Sequence, residues 1–237
     1  MTNQIPFYEL PLLSLDTETT GIDAWTCSVV TCNMTYDYPD GTPEYVCDWL
    51  INPGIGIPEG ASDVHGITDE IVQAHGMPAE IGLQSIAEHL NLWSDRGLPI
   101  VVYNASYDLT FLRSEFARYG IDCRNRFDLV IDPLVLDKQL DKFRKGKRQL
   151  AVTAAHYGIT LNNAHSADAD SKASVAIARA IGRKYKINGP VEEVHARQIE
   201  FKREQSESLQ AYFRKSKNDD SIIINGEWPY QVTREGS

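Results

Sequence analysis

The sequence of 237 residues contains no apolar run that approaches the roughly 20 residues of a membrane-spanning helix. Its first ten residues lack a basic region followed by an apolar stretch, so no secretory signal is predicted and we expect a cytoplasmic protein by default. It has only four cysteines, and the odd spacing of Cys27 and Cys32 puts them on opposite faces of a strand. We therefore predict reduced structural thiols and not disulfides or a zinc site.

Basic residues are also scarce relative to acids. Lysine and arginine number 23 against 33 aspartates and glutamates, which gives a formal net charge of −10. This sign argues weakly against a general nucleic-acid coat protein. It does not exclude an enzyme that acts on nucleic acid, because such an enzyme can hold divalent metals in a cluster of acids and make its basic contacts locally.

The order of the predicted elements indicates an α/β fold. Three β-rich runs joined by short turns predict an antiparallel meander, and two later strands alternate with helices. This pattern predicts a mixed five-stranded sheet with helices on both faces. The predicted strands are residues 12–16, 28–36, 45–51, 99–103 and 127–131, the clearest helices are 106–119 and 168–185, and 57–68 is expected to be a loop.

A change of composition near residue 188 predicts the end of this domain, so that residues 1–188 form the α/β domain. Residues 189–237 are polar and charged and predict a mostly helical C-terminal extension of unknown function. Within it, 191–217 is typical of a long helix and 221–226 of a short strand. An apolar stripe from Val191 to Phe213 is expected to pack on the domain, although docking of a partner or a second copy is an alternative.

The stretch LLSLDTETTG, residues 12–21, joins an apolar strand to two acids, Asp16 and Glu18. Residues two apart face the same side of a strand, so the two carboxylates would lie close together and repel each other. Basic side chains or a divalent cation could neutralise them. The alternative is a strand end that reaches solvent, where both acids are hydrated.

Two helices add further acids. Asp108 lies in the first turn of one helix, on the same stripe as Leu112 and Phe116, although an acid there can also simply favour the helix N-terminus. Asp170 lies on the core face of a second helix, and His165 precedes it in a loop where a histidine can equally be solvated. Burying four acids without compensation would be very costly, and all-oxygen ligation favours Mg²⁺ or Mn²⁺ over zinc.

Three motifs carry a family resemblance. In order, LDTETTG, YNASYD and HSADAD resemble the sequence motifs of the DEDDh exonucleases, the DnaQ-like family of the epsilon proofreading subunit of DNA polymerase III, RNase T and oligoribonuclease. VHGIT, residues 64–68, is similar to a loop of the epsilon-like branch. The resemblance spans about residues 10–186 and implies an RNase H-like fold. Tyr103 and Tyr107 replace the usual His and Phe of the second motif, which concerns the substrate pocket and not the metal site.

The resemblance also implies a mechanism, which is two-metal hydrolysis of terminal phosphodiesters with release of 5′-mononucleotides. By this resemblance, Asp16, Glu18 and Asp170 hold a first Mg²⁺ or Mn²⁺ ion. Asp16 would bridge to a second ion that Asp108 helps to place. His165 is implied as the general base, which suits its intrinsic pKa near about 6.5.

Substrate contacts are predicted from the motifs and from a basic segment, residues 138–150, which could bind phosphates or could be a solvated loop. Tyrosines and a histidine near the motifs could stack on terminal bases or could be the rim of the core, and Trp25 is open to the same two interpretations. The residues predicted to bind substrate are Thr19, His65, Tyr103, Asn104, Tyr107, Lys145 and Arg148.

We therefore expect a metal-dependent 3′→5′ exonuclease of repair or proofreading type that acts on single-stranded or frayed 3′ ends of DNA. One alternative is the same chemistry on RNA, because nothing in the sequence reads a 2′-hydroxyl. An alternative of another class is a non-catalytic module that binds nucleic acid or acts as a scaffold. The expected partner is nucleic acid and not a membrane, with polymerase binding or self-association through the extension left open.

Overall fold

The computed structural model describes residues 5–40, 42–160 and 167–234, with only the backbone at residues 167 and 168. The strands are β1 (Leu12–Thr19), β2 (Val29–Asp37), β3 (Tyr45–Asn52), β4 (Met77–Pro78), β5 (Ile100–Val101) and β6 (Val130–Ile131). Over these residues they form one six-stranded sheet in the order β4-β3-β2-β1-β5-β6. The first three strands are the predicted antiparallel meander, and β5 and β6 add to β1 in parallel.

The sheet has six strands where five were predicted. The additional strand, β4, has two residues and pairs in parallel with the end of β3, and a segment this short shows no periodicity in the sequence. The mixed α/β sheet itself is confirmed. The prediction of a strand at residues 221–226 is wrong, since these residues form no ladder with the sheet.

Helices surround the sheet. Within the described ranges they are a short 3-10 helix (Phe7–Glu9) and α1 (Glu59–His65), α2 (Asp69–His75), α3 (Ala79–Ser94), α4 (Ala105–Tyr119), α5 (Pro133–Leu140), α6 (Leu150–His156), α7 (Ala167–Lys184) and α8 (Val191–Lys217). The prediction that 57–68 is a loop is wrong because it contains α1, which ends at Gly66 with a left-handed φ of 75°. Among the described helices, none is long and apolar enough to cross a membrane. All four cysteines are free, as predicted.

The alternation of side chains along β1 divides the core into two layers. Leu13 and Leu15 pack in the cluster that includes residues of α3 and α4. Leu12 packs in the cluster that includes residues of α5, α6 and α7. Helices therefore cover both faces, as predicted. By the same alternation, Asp16 and Glu18 lie on the α7 side of the strand and Thr17 on the α4 side.

Helix α8 covers the open edge of the sheet at β6. The Val130 N–H donates to Nδ1 of His195 at 3.0 Å, and the Asp132 N–H donates to Oε1 of Gln198 at 2.7 Å. Nε2 of Gln198 in turn donates to the Val130 carbonyl at 2.9 Å. Two side chains thus take the place of a neighbouring strand, which satisfies edge groups that would otherwise be available for aggregation.

The apolar stripe predicted along the extension packs only in its first half. Val191 and Val194 are buried in the α7 layer, and Phe201 contacts both layers. The prediction is wrong for Leu209 and Tyr212, which are 43% and 64% exposed, because only the first part of α8 reaches the sheet edge. The domain boundary near residue 188 stays a prediction.

Candidate active site

The candidate site is built around the end of β1. This strand continues to Thr19, beyond the predicted residue 16, so both of its acids are strand residues. Their burial alternates as expected, because Thr17 and Thr19 are buried whereas Asp16 and Glu18 are partly exposed. The two carboxylates therefore lie on the same side of one strand.

Helix α4 brings Asp108 against this strand. The Asp108 side chain is only 4% exposed. Its Oδ1 accepts hydrogen bonds from the Thr17 N–H at 3.0 Å and the Thr17 hydroxyl at 2.7 Å. Burial raises the pKa of Asp108 to about 7, although the bonds from Thr17 oppose this shift. These contacts hold the Asp108 carboxylate against β1, in addition to its place in the first turn of α4, where an acid favours the helix N-terminus.

Helix α7 brings the fourth acid. The Ser14 hydroxyl of β1 donates to the Ser171 carbonyl at 2.7 Å, which fixes the first turns of α7 on this face of the sheet. Asp170 is the residue before Ser171 and is partly exposed. Burial raises the pKa of Asp16 well above its usual range, and the charges of Asp108, Glu18 and Asp170 raise it further. The four acids are therefore electrostatic neighbours.

This donor set fits a divalent cation. The groups that raise the pKa of Asp16 include three other carboxylates, and a hard divalent ion would reverse that repulsion. Carboxylate oxygens are the ligands that Mg²⁺ and Mn²⁺ prefer. The four residues that could hold such ions are Asp16, Glu18, Asp108 and Asp170. His165 lies outside the described residues, so its role as a general base stays a prediction.

Other predicted residues lie around the same strand end. His65, the last residue of α1, lies beside Thr19. Burial lowers the pKa of its imidazole, and the Thr19 backbone partly opposes this. The hydroxyls of Thr19 and Tyr107 are 2.7 Å apart, and both lie within hydrogen-bonding distance of the Gly21 carbonyl. Asn104 adopts a left-handed conformation (φ 67°, ψ 49°) before α4, and its side chain is exposed.

Two of the residues predicted to bind substrate use their hydroxyls within the fold. Thr19 is buried, and its hydroxyl is paired with the Gly21 carbonyl and with Tyr107. The Tyr103 hydroxyl donates to the Arg148 carbonyl at 2.6 Å and lies 2.8 Å from the Thr153 hydroxyl. Burial raises the pKa of Tyr103, consistent with a structural phenol. The hydroxyls of Thr19 and Tyr103 therefore help to position the site, and contact of these residues with substrate stays a prediction.

The basic segment divides into buried and exposed members. Arg144 donates to the fully buried Asp137 carboxylate at 2.8 Å, and Arg148 binds the same carboxylate and the Asp141 carbonyl. The guanidinium of Arg148 is therefore engaged in this network, and its role as a phosphate ligand stays a prediction. Lys145 is exposed. Lys142 and Lys147 are exposed as well. Phe143 is 91% exposed, and the sequence analysis did not identify this aromatic residue as a substrate contact.

A second group of possible metal ligands belongs to this ion-pair network. Ligand atoms of Asp137, Asp141 and His156 lie within 4.8 Å of one another. Burial raises the pKa of Asp137, but bonds from its two arginines and Tyr157 outweigh this and hold it below its usual range. Lys184 Nζ lies 3.5 Å from the Asp141 carboxylate. Because these cations already compensate the acids, we do not assign a metal to this group.

Sequence reasoning also missed Asp132, which connects several parts of the site. This buried carboxylate accepts the N–H groups of Asn104 and Ala105 at 3.0 and 2.9 Å, and it caps α5 through Leu134 N–H at 2.9 Å. It also accepts the indole N–H of Trp228 at 3.3 Å. Burial raises its pKa. An Asp-Pro pair after a strand is an N-cap signal that could have identified its capping role.

Comparison with known proteins identifies the family of this chain. A family model described as RNase_T, "Exonuclease", matches residues 13–178, more than half of the chain. The "DNA polymerase III subunit epsilon-like protein" of Rhodobacter capsulatus is 30% identical over 162 residues, which are 67% of this chain and 21% of the relative. The "DNA polymerase III PolC-type" protein of Lactococcus lactis is 27% identical over 172 residues, which are 72% of this chain and 10% of the relative.

Solved structures show the same fold. Exonuclease I of E. coli, in a zinc-bound complex with single-stranded DNA, superposes with a TM-score of 0.65 at 19% identity, covering 75% of this chain and 41% of that one. Exonuclease I of Methylocaldum szegediense superposes with a TM-score of 0.63 at 18% identity, and the match covers 86% of this chain and 46% of that one. The chain thus spans less than half the length of the relatives it matches. By its match to the family model and by its fold, the chain belongs to the exonuclease family, in the DnaQ-like 3′→5′ group.

Proposed function

We propose that this protein is a metal-dependent 3′→5′ exonuclease that removes nucleotides from the 3′ ends of DNA. The observation that carries this proposal is that hydrogen bonds hold Asp108 and the helix of Asp170 against β1, the strand of Asp16 and Glu18. The charges of Asp108, Glu18 and Asp170 all raise the pKa of Asp16. A scaffold module would have no need of four acids that destabilise one another. This feature favours catalysis over the non-catalytic alternative.

In this proposal Asp16, Glu18, Asp108 and Asp170 hold the divalent ions. When bound, such ions supply a nucleophilic water at neutral pH and stabilise charge on the reacting phosphate. The chain's own part is positioning. Thr17 holds the Asp108 carboxylate through two hydrogen bonds, and the bond from Ser14 to Ser171 fixes the helix that carries Asp170. His165 takes the proton from the attacking water, as the family resemblance implies.

The exposed part of the basic segment suits a strand that approaches the site. Lys142, Lys145 and Lys147 are exposed, and so is the aromatic ring of Phe143 in the same segment. Lysines bind phosphates and an aromatic ring stacks on a base, which together favour single strands. The basic segment is joined to the residues before α4, because the Arg148 carbonyl accepts a hydrogen bond from the Tyr103 hydroxyl.

DNA is the favoured nucleic acid because of the names of the relatives. One is an epsilon-like protein of DNA polymerase III, and a structural neighbour binds single-stranded DNA. The same names make a polymerase the first partner to test. Hydrolysis of RNA by the same residues is the second candidate function. A comparison of the hydrolysis rates of DNA and RNA oligonucleotides decides between the two.

The test is stepwise degradation of 5′-labelled DNA and RNA oligonucleotides with Mg²⁺, Mn²⁺ or EDTA. We expect a ladder of products shortened from the 3′ end, faster on DNA and stopped by EDTA. The variant Asp16→Asn should lose this activity, whereas Asp40→Asn, at an exposed turn acid, should keep it. Cutting that is independent of metal, cutting within the strand, or full activity in Asp16→Asn would contradict the proposal.

A further inference from the structure

A cavity of about 510 Å³ lies beside the candidate site. One wall is the turn after β1, with Ile22 and Trp25, and a second is the beginning of α4, with Asn104 and Tyr107. The third wall comes from the extension, and it consists of Lys202 on α8 and of Ile224, Asn225, Gln231 and Arg234 beyond it. A segment predicted to be an appendage therefore encloses a cavity that shares Asn104 and Tyr107 with the predicted substrate-binding residues.

The third wall is held against α4 along its length. The indole N–H of Trp228 donates to Asp132, the carboxylate that also holds the first residues of α4. The Gln231 N–H donates to the Thr110 hydroxyl at 2.8 Å. Arg113 lies over the Tyr230 ring, 4.1 Å from its centroid. The wall is therefore a built part of the fold and not a loosely attached tail.

The wall is also tied to the turn after β1, because Arg234 pairs with Asp23. This ion pair joins the last described residues of the chain to the loop that follows the first motif. Two of the segments that bound the cavity are thus linked by an ion pair. Its size falls within the roughly 300–1,000 Å³ typical of small-ligand sites.

The lining combines the groups that bind a nucleic-acid strand. Trp25 and Tyr107 are partly exposed and supply aromatic surface, and Ile22 adds an apolar side chain that is 90% exposed. Lys202 supplies positive charge in a chain with a formal net charge of −10, whereas the charge of Arg234 is paired with that of Asp23. Aromatic rings with cations at their edge are the pattern by which proteins bind single strands without reading their sequence.

We propose that the C-terminal wall, residues 224–234 with Lys202, forms a binding subsite for the part of the substrate strand upstream of the terminal nucleotide. The proposal rests on the proposed function. Among the described residues that line the cavity, none is one of the four acids, so the cavity serves a part of the strand other than the reacting phosphate. The wall raises affinity for longer single strands and does not take part in the chemistry.

The test separates strand binding from chemistry with two substrates. One is a twelve-residue oligothymidylate, and the other is the p-nitrophenyl ester of thymidine 5′-monophosphate, which has no upstream strand. Ile224→Trp fills the cavity. The matched control is Ile223→Trp, because Ile223 is 63% exposed and does not line the cavity in the described structure.

We expect Ile224→Trp to raise the KM for the oligonucleotide by about tenfold, the order of one lost stacked base. Hydrolysis of the p-nitrophenyl ester and the kcat for the oligonucleotide should stay within about twofold. Lys202→Met should raise the same KM and reduce the slope of log KM against log salt by about 0.7, as for one phosphate contact on a single strand. Ile223→Trp should match the wild type.

The inference is overturned if Ile224→Trp and Lys202→Met leave the oligonucleotide KM within about twofold of wild type. It is also overturned if they impair both substrates equally, since the wall would then act through the catalytic centre. Failure of the proposed function has a different signature, because the wild-type protein would then hydrolyse neither substrate with any metal.

Discussion

Replacing Asp108 by asparagine should stabilise the metal-free protein at alkaline pH while removing its activity. The amide keeps an oxygen that can accept the two hydrogen bonds from Thr17. It loses the negative charge that sits beside Asp16 and Glu18. A metal ligand is expected to destabilise the metal-free folded state and yet to be needed for activity.

The size of the effect follows from the pKa of Asp108, which burial raises from 3.8 to about 7. Between these values the folded protein keeps a proton that the unfolded chain has lost, so the free energy of unfolding falls as the pH rises. The full interval corresponds to about 4 kcal/mol at pH 8. This is an upper bound, because the new amide nitrogen also needs a hydrogen-bond partner, and we expect a gain of about 1–4 kcal/mol.

Urea unfolding in EDTA, followed by circular dichroism at pH 5 and pH 8, measures this gain. The difference between variant and wild type should be positive at pH 8 and should shrink towards pH 5. Added Mg²⁺ should stabilise the wild type more than the variant. The matched control is Asp137→Asn, where loss of the charge paired with Arg144 and Arg148 should cost about 3–5 kcal/mol. A variant less stable than wild type at pH 8, or a difference independent of pH, would refute the reasoning.

Three further predictions test the basic segment, Tyr103 and His165. Changing Lys142, Lys145 and Lys147 together to glutamine should raise the KM for oligonucleotides and lower the salt slope by about 2, with kcat unchanged; an unaltered slope would show a merely solvated loop. Tyr103→Phe should lower the free energy of unfolding by about 1 kcal/mol in urea titrations without changing KM, since its hydroxyl bonds lie within the fold. His165→Gln should reduce kcat by about 10²–10⁴-fold in steady-state assays and leave Mn²⁺ binding intact; a wild-type rate would exclude a general base.

The core of the site could be predicted because local rules decide it. Residues two apart on a strand must share a face, so Asp16 and Glu18 were expected side by side. Helical periodicity placed Asp108 and Asp170 on the sheet side of their helices. In the structure Asp108 binds Thr17, and both acids raise the pKa of Asp16. Regular elements thus carry their functional groups to predictable faces.

The rest depends on long-range contacts that have no local signature. Arg148 lies in a basic run that favoured phosphate binding, but its partner Asp137 is buried 11 residues away along the chain. The pairing of Trp228 with Asp132 spans 96 residues. A wall of the cavity formed by the extension could not be expected from a polar composition, because the few residues that anchor it are dispersed through that segment.

The most direct test of the central claim is a count of bound Mn²⁺ by electron paramagnetic resonance, in the presence of thymidine 5′-monophosphate. The wild-type protein should bind about two ions per chain, and Asp16→Asn should lose them while keeping its circular dichroism spectrum. Binding that is equally strong in wild type and Asp16→Asn, or no binding by the folded wild-type protein at millimolar Mn²⁺, would contradict a metal centre at the end of β1.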